Sequence, residues 1–146
     1  MVGHIKELML YVMKYEEAEN MKQKNVYKLD KNDGKAVDLF FRLGMPKNLA
    51  KTLLCISQFD ECRSADIEQG ADLRQPEVSI AMQELRRRGW IKKRDLKKKG
   101  KGRPVQIYKT TTDLSEILNV FEQEKLKEVE NVKNDISALK NIIQNR

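Results

Sequence analysis

Histidine and cysteine are scarce in this chain, with one His and two Cys in 146 residues. Three such side chains cannot close a four-ligand zinc site unless carboxylates join, and two thiols are too few for a disulfide framework. The cysteine usage fits a reducing, cytoplasmic location. Long apolar runs are missing as well. The apolar-leaning stretch from Ile5 to Tyr15 is interrupted by Lys6, Glu7 and Lys14 and is followed by no small-residue cleavage site. It reads as neither a signal peptide nor a membrane span. Also missing are a nucleophile with a base at a recognised spacing, a phosphate-binding loop and a carboxylate pair. The expectation is therefore a non-enzyme with no catalytic residue, no cofactor and no metal, built as one domain of ordinary size plus an attached helix or two.

Positive charge is abundant and unevenly placed. The net charge is +7, yet the 24 residues from Arg86 to Lys109 hold 12 Lys and Arg against one acid, Asp95, so that segment carries +11 and the rest of the chain −4. A basic stretch of this density favours a polyanionic partner.

Periodicity predicts a mainly α chain with one small β-hairpin. Ile5, Leu8, Met9 and Val12 fall at helical spacing and suggest an amphipathic helix that packs on something. Residues 16–32 read as a solvated connector ending in a turn at Asn32 to Gly34. A second helix carries the apolar stripe Val37, Phe40 and Phe41 and stops at Gly44. Pro46 fits the first turn of a core helix with Leu49, Leu53 and Ile56 on one face. Ser64 is placed to cap a short helix through Gln69, closed by Gly70. A turn over Ala71 to Gln75 then leads to Pro76 and a stronger helix with Val78, Met82 and Leu85 inward.

After Gly89 the period changes from helix to strand. Trp90 to Arg94 and Val105 to Thr110 read as paired strands, with Val105 and Ile107 facing away from Gln106 and Tyr108. The loop between them, LKKKGKGR, is too polar and glycine-rich to be core. The domain boundaries that follow are 1–32 for the N-terminal helix and connector, 33–112 for the body, and 113–146 for a long C-terminal helix. Asp113 and Glu116 are spaced as a capping box at its start.

The run from Leu73 to Ile91, LRQPEVSIAMQELRRRGWI, resembles the recognition helix and following strand of prokaryotic and archaeal winged-helix regulators of the ArsR, MarR and TrmB-like groups. These end the helix with a leucine, charged residues, a glycine and an apolar strand. The resemblance covers roughly Pro46 to Thr112. It implies a winged helix-turn-helix with an N-terminal helical extension and a long C-terminal dimerisation helix, acting on the DNA of the nucleoid. The adjacent cysteine pair of metal-sensing ArsR proteins has no counterpart here.

The residues agree with that expectation on physical grounds. A B-DNA major groove admits one α-helix, whose N-terminal residues meet base edges while its flanks and the wing meet phosphates. With Val78, Met82 and Leu85 inward, Arg74, Gln75, Glu77, Ile80 and Gln83 face out as candidates for base readout. Arg74 suits guanine and Gln75 adenine. Ser79, Arg86 and Arg87, with the wing residues Lys97, Lys98, Lys99, Lys101 and Arg103, are candidates for phosphate contacts. The function expected is a dimeric, sequence-specific regulator that inserts residues 76–88 into the groove of double-stranded DNA. The alternatives are an architectural protein with little sequence preference, and an interaction module of the transcription machinery whose wing meets an acidic protein surface.

In the last segment Val129, Val132, Ile136, Leu139 and Ile143 are spaced 3 and 4 apart, the seam of a coiled coil. Followed backward, the register meets Lys125 and Glu122, so only about two heptads are intact. Leu114, Ile117, Leu118 and Phe121 are expected to pack on the rest of the chain and the distal half to pair in a homodimer. The competing reading folds the whole helix back on its own domain. Cys55 reads as a core residue. Cys62, in a turn beside Arg63, is the one candidate for a redox or metal switch. His4 reads as a surface residue, and no small-molecule effector is indicated.

Overall fold

The computed structural model of the chain describes residues 6, 8, 9, 27–96, 102 and 104–146. Lys6, Leu8 and Met9 are helical, and Leu8 and Met9 are exposed. Ile5 and Val12 of the expected N-terminal helix lie outside the described residues, as does the connector up to residue 26. The chain divides into two compact units between Thr111 and Thr112.

Helix α1, Lys31–Arg42, starts where the composition predicts a turn, and Asn32 and Gly34 belong to its first turns. The reason is a reciprocal cap. The Asp30 carboxylate accepts the Asp33 N–H, and the Asp33 carboxylate accepts the Asp30 N–H, both at 2.9 Å. Two orphan donors are thereby satisfied. The Tyr27 hydroxyl also donates to Asp33 at 2.7 Å, and that bond to a carboxylate, with burial, pushes its pKa up to about 12. Helix α1 buries Val37 and Phe40, whereas Phe41, expected in the same stripe, is exposed. The Lys47 ammonium lies 5.0 Å from its ring centre. The chain then turns at Gly44, with φ of 95°.

Pro46 immediately precedes helix α2, Lys47–Ile56. Leu49, Leu53 and Ile56 are buried as expected, together with Ala50, Leu54 and Cys55. This helix is the centre of the body and touches α1, the next two helices and the hairpin. Helix α3, Ser64–Ala71, begins with Ser64 as its first residue rather than its cap. The Asp66 carboxylate accepts the Arg63 N–H at 2.8 Å instead. Gly70 does not close α3 but lies within it. Its carbonyl accepts the Leu29 N–H at 2.9 Å, and a Cβ there would run into the Tyr27 carbonyl oxygen and stand 2.5 Å from Cys55 Sγ. The reversal falls at Asp72, left-handed with φ of 52°.

Helix α4, Gln75–Arg87, buries Val78, Ala81, Met82 and Leu85. Each large apolar side chain so buried stabilises the fold by about 1.5–3 kcal/mol. Gly89 ends the helix with φ of 76°, a conformation that disfavours any Cβ. The Trp90 N–H returns to the Leu85 carbonyl at 3.0 Å.

Strands β1, Ile91–Leu96, and β2, Val105–Thr110, pair antiparallel, with Ile91 opposite Thr110 and Leu96 opposite Val105. Tyr108, expected to face outward, is buried. Cys62 pairs with it as a one-residue third strand, through two backbone bonds of 2.9 and 2.8 Å. That pairing covers the edge of β2 away from β1.

The second unit is helix α5, Leu114–Gln144, of 31 residues and about 46 Å in length. Asp113 precedes it but makes no side-chain cap bond, so the capping box expected with Glu116 does not form. Ile117 and Phe121 are buried, while Leu118, expected to pack with them, is exposed. No described helix is long and apolar enough to cross a membrane.

Candidate nucleic-acid interface

The sequence explains why α4 presents a polar face. Its apolar positions sit at helical spacing on one side, so the intervening residues point to solvent. Gln75, Ser79, Ile80 and Gln83 are all exposed, and Arg74 stands exposed at the residue before the helix. Ile80 is 69% exposed and is the large apolar side chain on this otherwise polar face. These five candidates lie together along the first two and a half turns of α4.

Glu77 is engaged differently. One carboxylate oxygen accepts the Arg74 N–H at 3.0 Å, and the other accepts the Asn48 side-chain amide at 2.9 Å. Both its oxygens are therefore used in starting α4 and tying it to α2. Asn48 is a contributor that sequence reasoning misses, because nothing in its neighbourhood signals a partner 29 positions away.

Basic side chains flank this face. Arg86 and Lys93 meet Gln75, Ser79 and Gln83 across a groove of about 240 Å³ between α4 and the hairpin. A second groove is lined by Arg86, Arg87, Lys92 and Lys93. Lys93 is a further residue that the sequence pattern does not single out. Its signal is its place two residues after the buried Ile91, on the strand that leaves the helix.

Arg87 is exposed but bound. It meets Glu84 through two bonds of 2.8 and 2.6 Å, and Arg88 reaches the same carboxylate at 3.1 Å. Hydrogen bonds from Arg87 and then Arg88 hold the Glu84 pKa down at about 2. The Arg88 guanidinium also lies 4.9 Å from the Trp90 ring centre. On β1, Arg94 pairs with Glu61 at 2.6 Å, which lowers the Glu61 pKa. Lys97, Lys98, Lys99, Lys101 and Arg103, the expected phosphate contacts of the hairpin loop, lie outside the described residues.

Cys62 does not have the environment expected of a reactive thiol. It is fully buried, and burial, followed by the nearby Asp66 and Cys55, raises its pKa. Burial likewise pushes Cys55 up to about 12. A neutral, enclosed thiol is inert. On α5, the seam residues Val129, Val132, Ile136, Leu139 and Ile143 are between 48 and 57% exposed, with Leu126 and Ile142 exposed beside them.

A short helix, a tight reversal, a helix with a polar outward face and a basic antiparallel hairpin make this a winged helix-turn-helix, followed by a long C-terminal helix. No family model and no curated protein matches the chain. Solved structures do. One is a "possible transcriptional regulator" from Methanosarcina mazei Go1, similar at a TM-score of 0.56 and 13% identity over 70% of this chain and 85% of that one. Another is TrmBL2, an archaeal chromatin protein with a novel mode of DNA binding. It is similar at a TM-score of 0.56 and 15% identity over 77% of this chain, which spans only 41% of TrmBL2. A third is the homodimeric winged helix-turn-helix DNA-binding domain of Mb0332 from Mycobacterium bovis, a possible ArsR-family regulator, with a TM-score of 0.39 and 16% identity over 73% of this chain and 93% of that one.

Proposed function

We propose that the chain is a dimeric, sequence-specific regulator of transcription that lays α4 in the major groove of double-stranded DNA. The observation that carries this reading is the exposed row Gln75, Ser79, Ile80 and Gln83 bordered by Arg86 and Lys93. Amide and guanidinium side chains read adenine and guanine edges, and an apolar side chain such as Ile80 suits a thymine methyl. Each good bidentate pairing discriminates by about 1–3 kcal/mol. Arg74, Gln75, Ile80 and Gln83 take the base edges. Ser79, Arg86, Lys93 and the basic loop take phosphates, with Arg87 contributing its charge from within its pair with Glu84. Glu77 holds Arg74 and the helix start in position.

The exposed seam of α5 supports dimerisation. Its exposed apolar stripe is too regular to be left in water, and regulators of this architecture read paired half-sites about 34 Å apart or a multiple of that. The test is selection of preferred duplexes from a random pool, followed by affinities for selected and scrambled duplexes at one salt concentration. A ratio of about 10³ or more is expected.

A second reading is an architectural DNA-binding protein, favoured by the similarity to a chromatin protein over 77% of the chain. It predicts a ratio near unity, and Arg74→Ala would then weaken all duplexes evenly instead of relaxing preference at one position.

A further inference from the structure

The two sides of the α5 seam carry opposite charge, and this fixes a direction. In the register that puts Val129, Ile136 and Ile143 at one seam position (a) and Val132 and Leu139 at the other (d), Glu128 and Asp135 precede the first. Lys133 and Lys140 follow the second. All four charged residues are exposed, as are all five apolar ones.

We infer that α5 pairs side by side and in parallel with α5 of a second copy of this chain. The inference rests on the dimer proposed above and adds its orientation. In a parallel pair, the residue preceding each a position faces the residue following the next d position of the partner helix. Glu128 then meets the partner's Lys133, and Asp135 meets the partner's Lys140. The two-fold axis repeats both, so four opposite-charge pairs flank the seam. In an antiparallel pair lysines face lysines and acids face acids, which repels on both flanks.

Residue shape agrees with charge. Within a parallel coiled coil, β-branched residues at a with Leu139 at a d position favour two strands. The pairing also has a defined start. One heptad earlier the seam positions are Glu122 and Lys125, which would oppose their own copies across the axis. Lys125 instead pairs with Glu128 of its own helix at 3.1 Å and lies 5.3 Å from the Phe121 ring centre. Pairing between copies therefore begins after Lys125. It brings the two Leu114 ends to the same end of the pair.

Arg146 occupies the next d position after Leu139, so Arg146→Cys reads the direction in the whole 146-residue chain. In a parallel dimer the two introduced thiols are neighbours, and a glutathione redox buffer should convert most of the protein to a disulfide-linked dimer. In an antiparallel dimer they stand more than about 30 Å apart. A chain that sediments as a dimer yet fails to cross-link overturns the orientation alone, whereas a chain that sediments as a monomer overturns the dimer and the orientation together. Charge reversal supplies an independent readout. Lys133→Glu with Lys140→Glu should weaken dimerisation about tenfold, and adding Glu128→Lys and Asp135→Lys should restore it. An unchanged dimer constant in the first variant, as antiparallel pairing predicts, overturns the proposal.

Discussion

Asn48 and Glu77 join the core helix α2 to the outward-facing helix α4 through a single side-chain bond of 2.9 Å. The second Glu77 oxygen holds the Arg74 N–H, so one carboxylate sets both the start of α4 and its attachment. Glu77→Ala should therefore cost about 1–2 kcal/mol of stability. It should also lower duplex affinity by loosening Arg74. Urea unfolding and binding titration check the two effects, and Asn48→Ala should reproduce the weaker part of the first. A stability unchanged in Glu77→Ala would remove this residue from the framework.

Two helical glycines should respond oppositely to the same change. At Gly70 a Cβ collides with the Tyr27 backbone, so Gly70→Ala should destabilise by about 1–3 kcal/mol. At Gly34 nothing lies within 4 Å, and α1 is helical there. Gly34→Ala should stabilise by about 0.5–1 kcal/mol, because alanine loses less backbone entropy on folding. Denaturation midpoints of the pair decide it, and a Gly70→Ala variant as stable as the parent would show that the approach of residues 27–29 to α3 is not tight.

Both thiols should resist alkylation in the folded protein. Cys55 and Cys62 are fully buried, with pKa values raised by desolvation. At pH 8 labelling by iodoacetamide should wait for unfolding, and added urea should accelerate it in step with loss of structure. Rapid native labelling of Cys62 would reinstate the switch that its sequence neighbourhood suggests.

How much of the fold is legible depends on how local each cause is. Helices α2 and α4 are visible in the sequence because Leu49, Leu53 and Ile56, and then Val78, Met82 and Leu85, carry the helical period without help from elsewhere. The hairpin is visible from the break at Gly89 and the basic, glycine-containing loop. The start of α1 misleads because Asn32-Asp33-Gly34 has the composition of a turn. Only the reciprocal Asp30 and Asp33 bonds, and the Leu29 bond to Gly70, show the chain entering a helix. Cys62 and Tyr108 mislead because their backbones pair across a long stretch of chain, a contact that spacing does not announce, and both are buried. At the candidate interface, Gln75, Ser79, Ile80 and Gln83 can be found because periodicity alone turns them outward, and Arg74 because it stands just before the helix. The engagement of Glu77 and Arg87, by contrast, depends on partners that spacing does not select.

Glu84 links stability to acid. Its ordinary pKa of 4.5 falls to about 2 in the fold, through Arg87 first and Arg88 second. A depressed folded value means that the unfolded chain takes up the proton first. The contribution of Glu84 is therefore complete above about pH 4.5 and is lost as pH falls through about 2. Glu84→Gln should flatten the acid side of the melting-temperature profile in that window, by lowering the melting temperature slightly at neutral pH, where the exposed ion pair is formed, and leaving it unchanged near pH 2. Carboxyl NMR gives the direct check, with the Glu84 midpoint returning toward 4.5 when Arg87 and Arg88 are replaced by Ala.

Lys93 and Gln83 border the same groove but should fail in different ways. A lysine on a phosphate releases counterions, so Lys93→Ala should weaken all duplexes alike and reduce the log–log salt slope by about 0.9, the share of a single neutralised phosphate. An amide on a base edge carries sequence information instead, so Gln83→Ala should leave the slope unchanged and lower the ratio between preferred and scrambled duplexes by about tenfold. Binding isotherms for both variants across a salt series separate the roles. If Lys93→Ala leaves the slope where it was, Lys93 neutralises no phosphate, and the backbone contacts on this side of α4 fall to Ser79, Arg86 and Arg87.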